Sequence, residues 1–368
     1  MKWNWQKQDW PQFTYDAEAL KSLESEFLQS SGIILGACKH LDQEQFDTLR
    51  VELVSEEAYQ TSAIEGEMLN RDSIQSSIRK QFGLQSDKKK VPIAEDGISR
   101  MMVDVYRHWN IPLSDKTLFH WHNLLTQGRR DLVDLGCYRT TAEPMQVVSG
   151  AMHRRTIHFE APPADRIPAE MNRFLDWFNR TAPHKPSIPL PALTRAGLAH
   201  LHFVCIHPFE DGNGRIGRAI AEMALSQSIG HPSLIALAHG IEARRKAYYA
   251  ALERNNQLLD ITDWLTWFAR IVLDAQAYSL RYIEFIIQKA KIYARLKGQL
   301  NARQEKVLAR LFREGPAGFK GGLSAENYMR ITQTSASTAT RDLQDLVFKK
   351  ALTRSGSRKS TRYRLLIV

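Results

Sequence analysis

The run His207-Pro208-Phe209-Glu210-Asp211-Gly212-Asn213-Gly214-Arg215-Ile216-Gly217-Arg218 packs an imidazole, two carboxylates, an amide between glycines and two guanidiniums into one short stretch. It is entered from the apolar run 198–206 and left through another at 220–225, so it reads as a loop tucked against a helix start. Glycines at 212 and 214 let successive backbone N–H groups curl inward, and the positive end of the following helix adds to that anion-binding concavity. Arg215 and Arg218 lie three apart and project from one helix face toward the same anion. Phosphate suits such a concavity. Displacement at phosphorus needs an acceptor oxygen in line with the scissile bond and neutralisation of charge. His207 titrates near neutrality and can take a proton from an acceptor hydroxyl. Asp211 offers an oxygen to Mg²⁺ otherwise held by water and phosphates. The backbone amides of Gly212, Asn213 and Gly214 would cradle phosphates, and the two arginines would clamp their oxygens. Any one of these elements alone is a plain turn or a solvated Arg pair. Together, at this spacing, they argue for a site.

These residues resemble the Fic-domain signature, H-P-F-x-[D/E]-G-N-G-R-x-x-R, at every specified position from His207 to Arg218. The resemblance covers about residues 50–270. It implies an all-α Fic fold, a helical core with a β-hairpin flap. It also implies an enzyme that moves AMP from ATP, with Mg²⁺, to a Ser, Thr or Tyr hydroxyl of a target protein or of the chain itself. A second stretch, Thr61-Ser62-Ala63-Ile64-Glu65-Gly66, ends a helix predicted over 43–66. Thr61 and Glu65 share a helix face, and Gly66 is the expected residue just past a helix end. This is similar to the family's inhibitory motif, [S/T]-x-x-x-E-[G/N], placed ahead of the core. The implied role is an ion pair from Glu65 to Arg218, occupying the group that would hold the ATP γ-phosphate.

Composition sets the bounds. At 368 residues the chain has room for two or three domains and a large core. No apolar run reaches membrane-spanning length, and the polar, aromatic start has no signal-peptide pattern. Cys38, Cys137 and Cys205 are too few and scattered for a disulfide framework or zinc cluster, and Cys205 reads as a small buried hydrophobe. A cytoplasmic location is expected. Residues 301–368 hold 14 Lys and Arg against 5 Asp and Glu, so they carry +9 of the net +10. The basic character belongs to the C-terminal part.

Other elements must position the loop. Trp3, Trp5, Trp10, Phe13 and Tyr15 predict a short extended segment with one aromatic face, docked on the body or a partner subunit, or forming a ligand cage. Helices are predicted over 17–31, 72–83, 98–109 and 114–125, with Asn70 or Asp72 and Ser114 or Asp115 as caps. The polar run 85–90 reads as a solvated loop. Alternation through Met145, Val147, Thr156, Ile157 and Phe159 predicts a β-hairpin within 136–160. By resemblance it is the flap that aligns a target segment by strand addition, with Val147, Val148, Ser149 and Gly150 touching the nucleotide; a merely structural hairpin is the alternative. Arg154 and Arg155 beside it are solvated or target-binding. After a helix over 167–179, a proline-rich connector leads to the helix 193–206 that delivers His207. His200 and His202 on that helix lack carboxylate or cysteine company, which favours a hydrogen-bonded core role over metal binding.

Downstream, 241–256 carries Tyr248, Tyr249 and Asn256, which by resemblance border the adenine, although an aromatic pair on such a helix also suits a core. Long helices are predicted over 262–299. Helices over 302–312, 324–331 and 335–350 with a β-wing over 352–366 are similar to a winged helix-turn-helix. Arg341, Arg354, Arg358, Lys359 and Arg362 would give it a basic surface, for DNA phosphates or for protein docking. The expected parts are therefore a Trp-rich segment with the inhibitory helix (1–90), a Fic catalytic domain (91–275), a connecting helix (276–300) and the winged helix-turn-helix (301–368). Three alternatives stay open on function: a DNA-binding regulator with a nucleotide-sensing core, a Fic enzyme with phosphocholine or phosphoryl transfer chemistry, and removal of AMP. A homodimer is also compatible with the sequence.

Overall fold

The computed structural model describes residues 2–86, 90–149, 155–183, 190–316, 318–319 and 321–367, apart from the Lys359 side chain. Gly150, Arg154, most of the proline-rich connector and part of the polar run after Gln85 therefore lie outside the described residues. The all-α class holds, with two small antiparallel hairpins among the described residues. Residues 1–36 and 50–279 form one compact unit, and residues 37–49 with 280–368 form a second.

In order the elements are α1 (Ala17–Cys38), α2 (Gln43–Ile64), α3 (Arg71–Gln81), α4 (Ile93–Arg107), α5 (Asp115–Thr126), β1 (Gln146–Ser149), β2 (Thr156–Glu160), α6 (Ile167–Arg180), α7 (Ala192–Ile206), α8 (Asn213–Ile229), α9 (Leu237–Glu242), α10 (Arg245–Asn255) and α11 (Thr262–Arg295). The heart of the first unit is the pair α7 and α8, both almost wholly buried. Small residues let helices close on α7: a Cβ on Gly197 would sit 2.8 Å from Leu265, and one on Gly217 of α8 3.1 Å from Val204. Around this pair lie apolar side chains of α4, α5, α6 and α11, including Met101, Trp121, Phe174, Trp264 and Phe268, each under 2 % exposed. Asn70 caps α3 by accepting from Ser73 N–H (2.9 Å), and Ser114 caps α5 by accepting from Thr117 N–H (3.3 Å).

The aromatic N-terminal segment is not a strand. Its first turn is 3-10 helical over Asn4–Gln6, and it docks on the body. Asn4 is fully buried and takes the Trp5 N–H on its side-chain oxygen, which tightens the turn and breaks the alternation. The span predicted as one helix over 241–256 is two, because Arg244, with a non-helical backbone, separates α9 from α10.

In the second unit, α12 (Ala302–Arg313), α13 (Ala325–Thr332) and α14 (Ala336–Phe348) are followed by the hairpin β3 (Leu352–Ser355) and β4 (Arg362–Leu365). Val307, Leu308, Leu323, Tyr328, Leu343 and Leu346 share its own core. Gln333, in the left-handed region at φ 53°, ends α13, and Ser335 caps α14. Arg341, Arg354 and Arg358 are exposed.

Candidate active site

The loop between α7 and α8 is held from several sides. α7 stops because His207 takes a left-handed conformation (φ 52°, ψ 58°), a strained state for a residue with a Cβ. Asn213 turns inward and closes the loop: its amide donates to Phe209 O (2.8 Å) and accepts the Phe209 N–H (3.0 Å). Phe209 is buried and stacks on the His122 ring at 4.3 Å. Glu210 Oε2 accepts the N–H groups of Val133 (2.7 Å) and Asp134 (3.1 Å). Arg139, 3 % exposed, donates from Nε to the His207 carbonyl (2.9 Å) and also reaches the Pro162 carbonyl. Burial lowers the Arg139 pKa to about 10, so the guanidinium keeps its charge at neutrality.

These constraints leave the His207 imidazole on the wall of a cavity of about 640 Å³. Nδ1 lies 3.3 Å from Val204 O, so Nδ1 carries the proton and Nε2 keeps its lone pair. Burial, more than any charge, lowers the His207 pKa to about 4; the ring is neutral at physiological pH. Asp211, Gly212, Asn213 and Gly214 line the same cavity beneath Val147, Val148 and Ser149 of β1. Gly212 caps α8 with φ 82°, a backbone that only glycine holds without strain. A Cβ on Gly214 would lie 2.2 Å from Glu65 Oε1, so the Glu65 carboxylate lies directly on the nest and would have to shift for any larger residue there.

Glu65 is fixed by the end of α2. Gly66 (φ 86°) donates to Ala63 O and Glu67 to Ser62 O, each at 3.0 Å, which is a Schellman ending. A carboxylate at a helix C-terminus meets the negative end of the helix dipole, so it needs an outside partner. That partner is Arg218, 1 % exposed, whose NH2 group lies 2.7 Å from Glu65 Oε1. Arg218 also donates from Nε to Thr61 Oγ1 (2.7 Å) and from NH2 to the Thr61 carbonyl (2.9 Å). Burial works against this guanidinium, yet the Glu65 carboxylate outweighs it and its pKa is raised. One nitrogen, NH1, is buried without a partner.

The two arginines expected to face one anion part company. Arg215, 3 % exposed, pairs with Glu67 Oε2 at 2.7 Å and lies 3.4 Å from Asp211 Oδ1. The 60° that separates positions three apart on a helix is enough to send them to two different acids. Asp211 is also bound by Arg129 (2.7 Å) and accepts the Gly212 N–H (2.6 Å). Burial pushes its pKa up, but Arg215 and Arg129 more than offset this and hold it low, so the carboxylate is ionised. A single ionised carboxylate on a cavity wall is a donor set that would suit Mg²⁺, which keeps most of its water or other oxygen ligands. Among the described residues no group of three or more His, Cys, Asp or Glu gathers for a metal.

The far wall separates the tyrosines. Tyr248 is 1 % exposed with its hydroxyl 2.9 Å from His200 Nε2, so it is chiefly core; Tyr249, 40 % exposed, presents its ring. Tyr249 also donates to Ile64 O (3.0 Å), next to Glu65. Asn256, which lines the cavity, donates to His158 O (3.0 Å), while its own Oδ1 is buried and unpartnered. His200 has its hydrogen bond, whereas His202 sits edge-on among Trp10, Phe13, Phe174 and Trp177. Arg129, Glu67, His158 and Glu253 were not picked out from the sequence. Only the acidic Glu67, directly after Gly66, carried a local signal.

Residues 112–225 match the Fic/DOC family, and residues 3–84 match a domain of unknown function (DUF4172). Among curated proteins, the chain is 30 % identical over 156 residues to protein adenylyltransferase fic-1 of Caenorhabditis elegans, covering 42 % of this chain and 26 % of that one. It is 24 % identical over 268 residues to protein adenylyltransferase Fic of Culex quinquefasciatus, covering 67 % and 49 %. The chain thus spans a quarter to a half of these relatives. Its fold is shared with a Fic family protein from Desulfovibrio desulfuricans, at TM-score 0.55 and 21 % identity over 96 % of this chain and 98 % of that one. A fragment of C. elegans Fic-1 superposes at TM-score 0.50 and 24 % identity, over 74 % of each chain.

Proposed function

We propose, from the premise that this chain carries a Fic domain, that it is a protein adenylyltransferase moving AMP from ATP to a Ser, Thr or Tyr hydroxyl of a target protein. One observation carries the reading: His207, with its free Nε2, shares a single cavity with the nest of Gly212, Asn213 and Gly214. The triphosphate lies on the nest and the start of α8, where backbone N–H groups and the helix dipole favour negative charge. Val147, Val148 and Ser149 cover it, and Tyr249 and the Asn256 amide meet the adenine. Nε2 of His207 takes the proton of the acceptor hydroxyl as its oxygen bonds to the α-phosphorus; the bond to the β-phosphate oxygen breaks and pyrophosphate leaves. Negative charge from the triphosphate raises the proton affinity of an imidazole that burial alone makes weakly basic. Asp211 would hold Mg²⁺, which when bound supplies neutralisation of phosphate charge.

Arg218 is the remaining clamp, and its engagement by Glu65 and Thr61 favours an inhibited state in which the terminal phosphate lacks its partner. The test is direct. With labelled ATP, Glu65→Gly raises transfer of AMP to protein and His207→Ala abolishes it. A folded, ATP-binding Glu65→Gly protein with no gain would remove the inhibition from this account.

The second unit supports an additional reading as a DNA-contacting winged helix-turn-helix. Its exposed Arg341 on α14 and Arg354 and Arg358 by the hairpin favour phosphate contact. Duplex binding that weakens steeply with salt would support it, and binding indifferent to salt would not.

A further inference from the structure

Behind the ion pair of Glu65 and Arg218, the same two helices carry a second pair of a different kind. On α2, Glu57, Thr61 and Glu65 follow at four-residue spacing, and on α8 so do Arg218 and Glu222, so each set shares a helix face. Thr61 and Glu65 meet Arg218; one turn on, Glu57 and Glu222, 3 % and 5 % exposed, line one void of about 20 Å³. The start of α9 draws them together. Glu57 Oε2 accepts the Ala238 N–H (2.6 Å), and the Leu237 N–H and the Ser233 side chain bond to Glu222. Each glutamate keeps one oxygen, Oε1, that is buried with no partner.

Ionised carboxylates only accept, so two of them on one void repel and leave both orphan oxygens without a donor. The nearby cations are engaged elsewhere: Arg218 by Glu65 and Thr61, and Arg71 and His239 by Glu56. Tyr106 of α4 also lines the void. One proton resolves the conflict, because a carboxylic acid donates to a carboxylate, directly or through a single water, for which the void has room. Burial pushes the Glu57 pKa up to about 8, against the Ala238 N–H and the Arg218 charge; burial and the Glu57 charge raise that of Glu222.

Resting on the inhibited state read above, we propose that a proton held between Glu57 and Glu222 fastens α2 to α8, and that its loss loosens the inhibitory helix and frees Arg218. A released α2 exposes Glu57 to water, where a carboxylate ionises in its ordinary range. The fastened state binds the proton more tightly, so its advantage is complete below that range and shrinks as pH rises to the folded value near 8. Above it both states are ionised and no further change follows. Inhibition is strongest in acid and weakest in alkali.

The experiment measures transfer of labelled AMP by the full chain, with saturating ATP and Mg²⁺, from pH 6 to 9. The quantity read is the ratio of Glu65→Gly to the unsubstituted chain, in which the titrations of His207 and of ATP cancel. Expected is a ratio that falls at least about tenfold between pH 6 and 8, since one proton shifts the equilibrium by up to about tenfold per unit, and that levels off above. Glu57→Gln and Glu222→Gln, each made in both backgrounds, give the pair a permanent amide donor and flatten the ratio. Hydrogen exchange at residues 61–66 without nucleotide, corrected for its intrinsic pH dependence, follows the same course. A ratio that does not change with pH overturns the proposal and leaves inhibition by Glu65 standing, as does a fall that both glutamine variants reproduce. Protection of residues 61–66 that stays constant from pH 6 to 9 overturns it too. Glu65→Gly no faster than the unsubstituted chain at any pH overturns the inhibited state and this proposal with it.

Discussion

The loop after α7 and the hairpin above it line one cavity but are built on opposite terms. The loop is over-determined: Asn213 closes it, Phe209 is buried in it, and Arg139 and Glu210 bind its backbone or its surroundings. The hairpin has short strands with Val147, Val148 and Ile157 exposed, held near its base by Trp5 and Asn256. Groups that meet developing charge must not move as it develops, because reorganisation would consume the stabilisation they offer. Groups that meet a variable acceptor need an open edge. The strain of His207 at φ 52° belongs with the first kind, since it persists only where the surroundings enforce it.

Two substitutions test that division most strongly. Removing the base in His207→Ala is expected to cut AMP transfer on the order of 10³-fold or more, as loss of a positioned general base does, with ATP binding retained. If the rate falls only a few-fold, the loop is a binding element and the comparison fails. Glu65→Gly frees Arg218 and is expected to raise transfer by up to about 10²-fold, the span of a typical coupling free energy. The gain should appear as higher kcat with labelled ATP, since the nest itself is unchanged.

The loop was legible in the sequence because its chemistry is local: His207 to Arg218 are contiguous, and their spacing fixes the helix start and the nest. Thr61 and Glu65 were legible for the same reason, since a glycine after a helix end fixes the carboxylate at its C-cap. The hairpin was visible as alternation, yet its bulge at His158 was not, because register depends on the partner strand. Arg129 and Glu253 stayed hidden since each acts across more than 80 residues, on Asp211 and His158. An aromatic pair on a helix does not say which ring faces in: Tyr248 and Tyr249 both line the cavity, but the first is 1 % exposed and the second 40 %. The split of Arg215 from Arg218 depended on Glu67, an ordinary acid until its position is known.

Acid should expose the buried side of the comparison. Burial lowers the pKa of His122, His200 and His207 to about 4 and of His202 to about 3. The folded pKa lies below the unfolded value, so as pH falls through the unfolded histidine range the unfolded chain binds protons first. Stability from these groups is complete above that range and lost on the way down to the folded values. Glu57, pushed up by burial to about 8, and Glu222, also raised by burial, act in the opposite sense and gain stability over part of the same interval. The melting temperature should therefore fall between pH 6.5 and 4 (each uncompensated proton amounts to about 1.4 kcal/mol per pH unit). Glu222→Gln should steepen the fall. A melting temperature flat across that interval in both proteins would contradict the burial that sets these shifts.

The smallest effect is expected at the root of the hairpin. Trp5 is buried, its indole N–H donates to the Glu160 carbonyl at the end of β2 (2.6 Å), and the Arg166 guanidinium stands 5.4 Å over its ring. Trp5→Phe keeps most of the apolar contact and removes the one donor, a loss of about 0.5–1.5 kcal/mol. If Trp5 serves to seat the strands over the nucleotide, the loss is felt where the hairpin touches ATP. The KM for ATP should then rise by a few-fold to about tenfold, while kcat in the Glu65→Gly background stays put because the loop after α7 keeps all its own bonds. The opposite split, with kcat falling and KM unchanged, would mean that the Trp5 anchor supports the loop. The two regions would then be one mechanical piece, and the contrast between a rigid floor and an adjustable cover would have to be given up.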